Sequence, residues 1–315
     1  MLASSPIIVL LLVSLLSYAR RMVSISSQEW LAPTDTICEM FSMGVSKFLL
    51  ESTTLANDGS VFSEVVNVTM VNEIVDCARK YGTGAALLLG TDSYPYHECS
   101  PDIFSFATFE SQIQSYITQY NVEEVRFWVW VGNCQQFFWQ IAQRVGWIIS
   151  RKLKTTSGKP VRASIGFGAE PLDSPLWKYV EAARLGRLFD TVSIHFGHPT
   201  LLSNNMVDAD FARQAVQRLL TLGVPASKIE LSVEAMGYSP GKFQPPLTYA
   251  ELIAKGALPF SNGHFEDYTY QSQKQVLEKT CLVEDRGLYG LSISTIFEDQ
   301  PARTRSSLLY AALHF

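Results

Sequence analysis

Apolar residues along this chain fall into two alternating patterns. Short, nearly continuous apolar runs occur at 22–26 (MVSIS), 46–52 (SKFLLES), 84–90 (GAALLLG), 125–131 (VRFWVWV), 161–168 (VRASIGFG), 190–197 (DTVSIHFG), 228–235 (KIELSVEA) and 289–296 (YGLSISTI). Such runs predict strands covered on both faces. Between them, residues 71–81, 109–120, 137–154, 176–188, 209–222 and 270–284 carry apolar side chains three and four apart, the spacing of one helix face. Eight strand patterns alternating with helices over roughly 300 residues predict an α/β fold, a (β/α)8 TIM barrel. An open doubly wound sheet is the alternative, but it calls for a Gly-rich phosphate turn after its first strand. MVSISSQEW contains no glycine, so the barrel is preferred.

No repeat, low-complexity stretch or linker divides the chain, and residues 20–315 read as one barrel domain. The first 19 residues read as a cleaved signal peptide: an apolar run from Pro6 to Leu16, then small residues at Ser17-Tyr18-Ala19. A membrane anchor flanked by Arg20 and Arg21 is the competing reading. A secreted, extracellular protein without a membrane span after cleavage is the expectation.

The chain has 315 residues, of which 47% are hydrophobic and 17% charged, with a net charge of -5. That hydrophobic share excludes disorder, and the mild acidity excludes a nucleic-acid partner, which calls for a basic face. Export permits disulfides. The five cysteines, Cys38, Cys77, Cys99, Cys134 and Cys281, include no Cys-x-x-Cys pair, and their odd number leaves at least one unpaired. Cys99 and Cys134 follow strands three and four, where a disulfide would join neighbouring loops. The alternative makes Cys134 a nucleophile with His195 or His198 as base. Asn67-Val68-Thr69 is a glycosylation sequon.

Several segments, in order, resemble glycoside hydrolase family 18, the chitinases and chitinase-like proteins. MVSISSQEW is similar to the family's first strand, and SKFLLESTTLANDGSV to its second strand and the turn with Asp58-Gly59. ALLLGTD resembles the third strand, and FESQIQSYITQYNVEEVRFWVWV the helix and strand leading into the catalytic motif. LGVPASKIELSVEAMGYSPG resembles strand seven, and LVEDRGLYGLSISTIFEDQ strand eight. The resemblance implies the same barrel, and hydrolysis of β-1,4-linked N-acetylglucosamine polymers.

The chemistry that the resemblance implies rests on a fourth-strand motif D-x-x-D-x-D-x-E. Its glutamic acid protonates the glycosidic oxygen, and an aspartate orients the substrate's acetamido nucleophile. Alternate strand residues reach the barrel mouth together. With the family's tryptophan set on Trp130, the motif positions fall on Glu124, Phe127, Val129 and Val131, so no catalytic acid remains; Trp128 then points outward. Other family positions have changed as well. His195 stands near the sixth-strand methionine, Gly197-His198 near its Tyr-Asp pair, Met236 at the seventh-strand tyrosine and Ser294 at the eighth-strand tryptophan.

Other clusters carry weaker chemistry. His195-x-x-His198 has the look of a metal pair but lacks a third ligand, so no metal or other cofactor is expected. Glu170 and Glu234, near the ends of strands five and seven, are fallback acids for two-carboxylate hydrolysis. Glu298 and Asp299 read as a solvated loop. Trp139 and Trp147, eight apart, read as one helix face packed on the barrel. Trp130, His195, His198, Met236 and the loop aromatic Tyr94 are the candidate ligand contacts. Phe104 and Tyr96 read as further loop aromatics.

Three functions follow: a non-catalytic barrel binding an N-acetylglucosamine-type oligosaccharide or a protein partner, a glycoside hydrolase using displaced carboxylates, or an interaction or storage protein with no glycan role.

Overall fold

A computed structural model of the chain describes residues 22–27, 33–63, 65, 67–91, 99–129, 134–197, 208–239 and 244–314. The expected signal peptide lies outside the described residues, as do Tyr94, Tyr96, Trp130, Val131 and His198. Eight parallel strands close into a barrel: β1 Met22–Ser27, β2 Lys47–Leu55, β3 Gly84–Thr91, β4 Glu124–Val129, β5 Arg162–Gly168, β6 Thr191–Phe196, β7 Ile229–Glu234 and β8 Gly290–Ser294. Closure comes from β1, which pairs with β2 on one side and β8 on the other. Around it run helices α1 Thr34–Met43, α2 Val68–Lys80, α3 Phe106–Tyr120, α4 Gln135–Arg151, α5 Leu176–Ala182, α6 Ala209–Thr221, α7 Gln273–Arg286 and α8 Leu308–His314. The fold is the (β/α)8 barrel that the alternation predicts. Among the described residues, no helix is long and apolar enough to cross a membrane.

Some expectations change. The pattern over 176–188 breaks into α5 and a short turn of helix, Leu185–Leu188, because Arg184 adopts a left-handed backbone at φ 49°. Between β7 and α7 the chain adds a small antiparallel sheet built on Met236–Tyr238 and Tyr268–Tyr270. Asp299 is buried rather than solvated: its carboxylate accepts from Ser307 Oγ and the Leu308 and Leu309 amides, capping α8. Those bonds partly offset burial, which raises the carboxyl to about 6. Trp139 is buried but Trp147 is 46% exposed, since eight residues advance about 80° beyond two full helix turns. Phe104 lies in the loop before α3, as expected, but is buried there beside Phe106 and Phe137.

Two disulfides tie the helix layer and the strand ends. Cys38–Cys77 joins α1 to α2, and Cys99–Cys134 joins the segments after β3 and β4. Cys134 is therefore no nucleophile, and Cys281 is a free, exposed thiol.

The apolar side of each strand faces the helices, where Val125, Phe127 and Val129 join one continuous core with Ile165, Phe167 and Ile194. The barrel interior, in contrast, is charged. Lys47 Nζ lies 2.8 Å from Glu124 Oε2, Ser164 Oγ donates to Glu124 at 2.8 Å, and Arg126 Nη1 lies 2.5 Å from Glu230 Oε2. Ser24 Oγ donates to Glu230 at 3.0 Å. Burial works against the Glu124 anion, but Lys47, then Arg126 and Arg162, outweigh it and hold the carboxyl at about 2 against an ordinary 4.5.

A carboxyl depressed on folding adds stability above its unfolded value and loses it as pH falls through the folded one. The drop is worth about 3 kcal/mol. That stability is present at neutral pH and disappears between about pH 4.5 and 2. Urea midpoints followed across this window will fall in the wild type, whereas Glu124→Gln will start lower at pH 7 and respond less. An equally steep fall in the variant would place the acid lability elsewhere.

Candidate functional site

The C-terminal ends of the strands enclose a cavity of about 230 Å3, lined by Glu51, Thr53, Arg126, Trp128, His195 and Glu234, among others. This is the end at which barrel enzymes place their chemistry. Six of the lining side chains come from six strands: Ser26 on β1, Glu51 on β2, Trp128 on β4, His195 on β6, Glu234 on β7 and Ser294 on β8.

The inward face of β4 is the face opposite to the one the motif comparison chose. Glu124, Arg126 and Trp128 point into the barrel, while Phe127 and Val129 are packed beneath the helices. Period-two geometry allows only one of these sets inside. The inward positions of β4 are therefore Glu124, Arg126 and Trp128, and of these only Glu124 is a carboxylate. The indole lies edge-on to His195 at 5.4 Å. It covers Gly166, its register partner on β5, so closely that a Cβ there would come within 2.3 Å of the ring.

His195 and Glu234 come together. His195 Nδ1 is 3.0 Å from Ser232 Oγ, and its Nε2 is 3.6 Å from Glu234 Oε2. The Tyr238 hydroxyl donates to the same Glu234 oxygen at 2.9 Å. Burial and the Glu234 charge raise the Tyr238 phenol, which keeps it a donor. Gly197 makes room for this group: a Cβ there would lie 2.9 Å from Glu234 Cβ and 3.3 Å from His195 Nε2. Across the mouth, Ser26 Oγ donates to Glu51. Burial pushes the Glu51 carboxyl up and the Glu234 charge adds to that, with Ser26, His195 and Arg126 only partly opposing.

Other expected site residues lie elsewhere. Glu170 is buried with a 3.1 Å bond from Ser174 Oγ, outside the cavity lining. The fallback pair Glu170 and Glu234 is therefore not brought to one cavity. Met236 belongs to the small antiparallel sheet, also outside the lining. Sequence reading missed Glu51, Thr53, Arg126 and Tyr238. For Arg126 the signal was polar residues at every second position of a strand, as also in Glu230, Ser232 and Glu234.

Buried polar atoms on the cavity wall without a hydrogen-bond partner include Thr53 Oγ1 and Arg126 Nε. Leaving such groups unpaired is costly, so both point to a polar ligand. Among the described residues, no group of three His, Cys, Asp or Glu is placed to hold a metal ion.

No protein-family model and no curated protein matches this sequence. Solved structures do match its fold. A family 18 chitinase from Flavobacterium johnsoniae superposes with a TM-score of 0.68 at 15% identity, over 93% of each chain. A chitinase-like agglutinin from Robinia pseudoacacia gives 0.67 at 12% identity, over 92% of this chain and 98% of its own. A chitinase domain from Ostrinia furnacalis in complex with an N-acetylchito-oligosaccharide gives 0.68 at 13%, over 94% and 96%. The chain has the fold of the family 18 chitinases and chitinase-like proteins.

Proposed function

We propose that this chain is a secreted, divergent chitinase-like barrel that binds a glycan of the N-acetylglucosamine type at its mouth, without the substrate-assisted hydrolysis of family 18. The observation that carries this is the inward face of β4. Glu124 is consumed by the ion pair with Lys47 deep in the barrel and Arg126 by Glu230, and the inward residue beyond them, Trp128, is no carboxylate. An indole and a guanidinium neither protonate a glycosidic oxygen nor orient an acetamido group as a carboxylate does. What the mouth keeps suits sugar hydroxyls: an aromatic wall, Glu234, and the unpartnered hydroxyl of Thr53. Two disulfides fit an oxidising, extracellular setting.

Calorimetric titration with an N-acetylglucosamine oligomer tests the reading; saturable heat is expected and its absence would reject it. Thr53→Val sharpens the test. Losing an unsatisfied hydroxyl costs the free protein little, while the bound glycan loses a partner, so affinity will drop about tenfold, or ~1.4 kcal/mol, with the urea midpoint unchanged. Equal affinity in the variant would put the glycan somewhere other than this cavity.

A further inference from the structure

We propose that Glu51 and Glu234 form an acid–base pair that hydrolyses a β-linked glycoside whose terminal ring sits in the mouth cavity. The inference rests on the glycan-binding reading above and replaces the strand-four motif by groups on other strands.

The two carboxyls line one cavity from separate walls, β2 and β7, with β1 and β8 between their strands. The pairing of β2 with β3 slips in register between Leu50 and Thr53, an irregularity that brackets Glu51. Such bulges re-aim side chains beside functional sites. The cavity is small, about 230 Å3, and the proposal seats a single terminal ring in it.

The environments of the two acids differ. Glu51 has Ser26 as its hydrogen-bond donor and is held toward its protonated form by burial and by the nearby Glu234 charge. Glu234 accepts from Tyr238 and has His195 beside it. Neighbouring carboxyls set apart in this way divide the roles of acid and base. The charged and titratable groups facing them are Arg126 from β4, His195 from β6 and Tyr238 beyond β7.

In the reaction, the Glu51 proton moves to the glycosidic oxygen as the bond from that oxygen to the anomeric carbon breaks, its electron pair leaving with the oxygen. Glu234 takes a proton from water, and the water oxygen bonds to the anomeric carbon. The products are two hydroxyl-bearing fragments, with Glu51 ionised and Glu234 protonated; return of one proton from Glu234 to Glu51 resets the pair. No acetamido group takes part, which separates this route from the substrate-assisted one.

The test uses the full mature chain with two fluorogenic probes, 4-methylumbelliferyl β-N-acetylglucosaminide and the corresponding β-glucoside, beside calorimetric binding of N-acetylglucosamine. Both probes are expected to release fluorophore. Glu51→Gln and Glu234→Gln, each isosteric, will lower kcat, read at saturating probe, by roughly 100-fold or more. Glu170→Gln will not change kcat. Because Glu51 must carry its proton, wild-type turnover will fall as pH rises through its raised value, a readout that needs no variant.

Sugar binding without release of either fluorophore overturns the pair and leaves the glycan reading standing. Release that survives both substitutions, or that lacks the alkaline fall, also overturns it. Absence of sugar binding as well as turnover removes the reading on which the inference depends.

Discussion

Replacing Arg126 by methionine will destabilise the protein by about 3–5 kcal/mol. The guanidinium lies 2.5 Å from Glu230 and 3.8 Å from Glu124, with all three side chains at most 1% exposed. Methionine keeps an unbranched apolar stem but leaves Glu230 with the Ser24 hydroxyl as its hydrogen-bond donor among the described contacts, and an unpaired buried carboxylate costs far more than the pair contributes. A second substitution, Glu230→Gln, removes the stranded charge and will recover more than half of the loss. Urea unfolding of wild type, both single variants and the double variant checks this through their coupling. Additive losses would show that the network carries no mutual dependence.

Gly166→Ala will destabilise by about 1–3 kcal/mol and also weaken ligand binding at the mouth. Its new Cβ would sit 2.3 and 2.4 Å from two ring carbons of Trp128, inside any real contact distance. The ring is buried and lies edge-on to His195, so it can yield only by shifting within the barrel. That shift changes the cavity wall opposite Glu234. A urea midpoint paired with N-acetylglucosamine titration measures both effects. A stable variant with unchanged affinity would mean that Trp128 does not shape the binding cavity.

Both outcomes turn on the inside of the barrel, where the sequence was least legible. The eight strand runs were readable because each outward face is apolar, as in Val125, Phe127 and Val129, or Ile229, Leu231 and Val233. Helices with long amphipathic faces, such as α3 and α6, were readable for the same reason. Helix α1 and the small sheet after β7 were missed, because short elements repeat their pattern too few times to stand out.

The candidate site divides along the same line. His195 and Glu234 were found because they stand near strand ends, where barrel chemistry gathers. Glu51, on the second strand, was hidden inside an apolar run, and Glu170 near the end of strand five sits outside the cavity. The motif comparison went to Phe127 and Val129 because a strand read alone gives two equivalent faces, and moving the comparison by one residue exchanges them.

By itself, then, the amino-acid sequence determined the strand and helix order, the barrel class and the likeness to chitinases. Those follow from local periodicity and from the residue types that are present. Only the tertiary structure decided that Arg126 and Trp128 face inward, that Cys38 pairs with Cys77 and Cys99 with Cys134, and that Glu51 meets Glu234 at one mouth. Such choices depend on how strands far apart in the chain close a ring, and closure fixes which of two faces is inside only when every strand is in place.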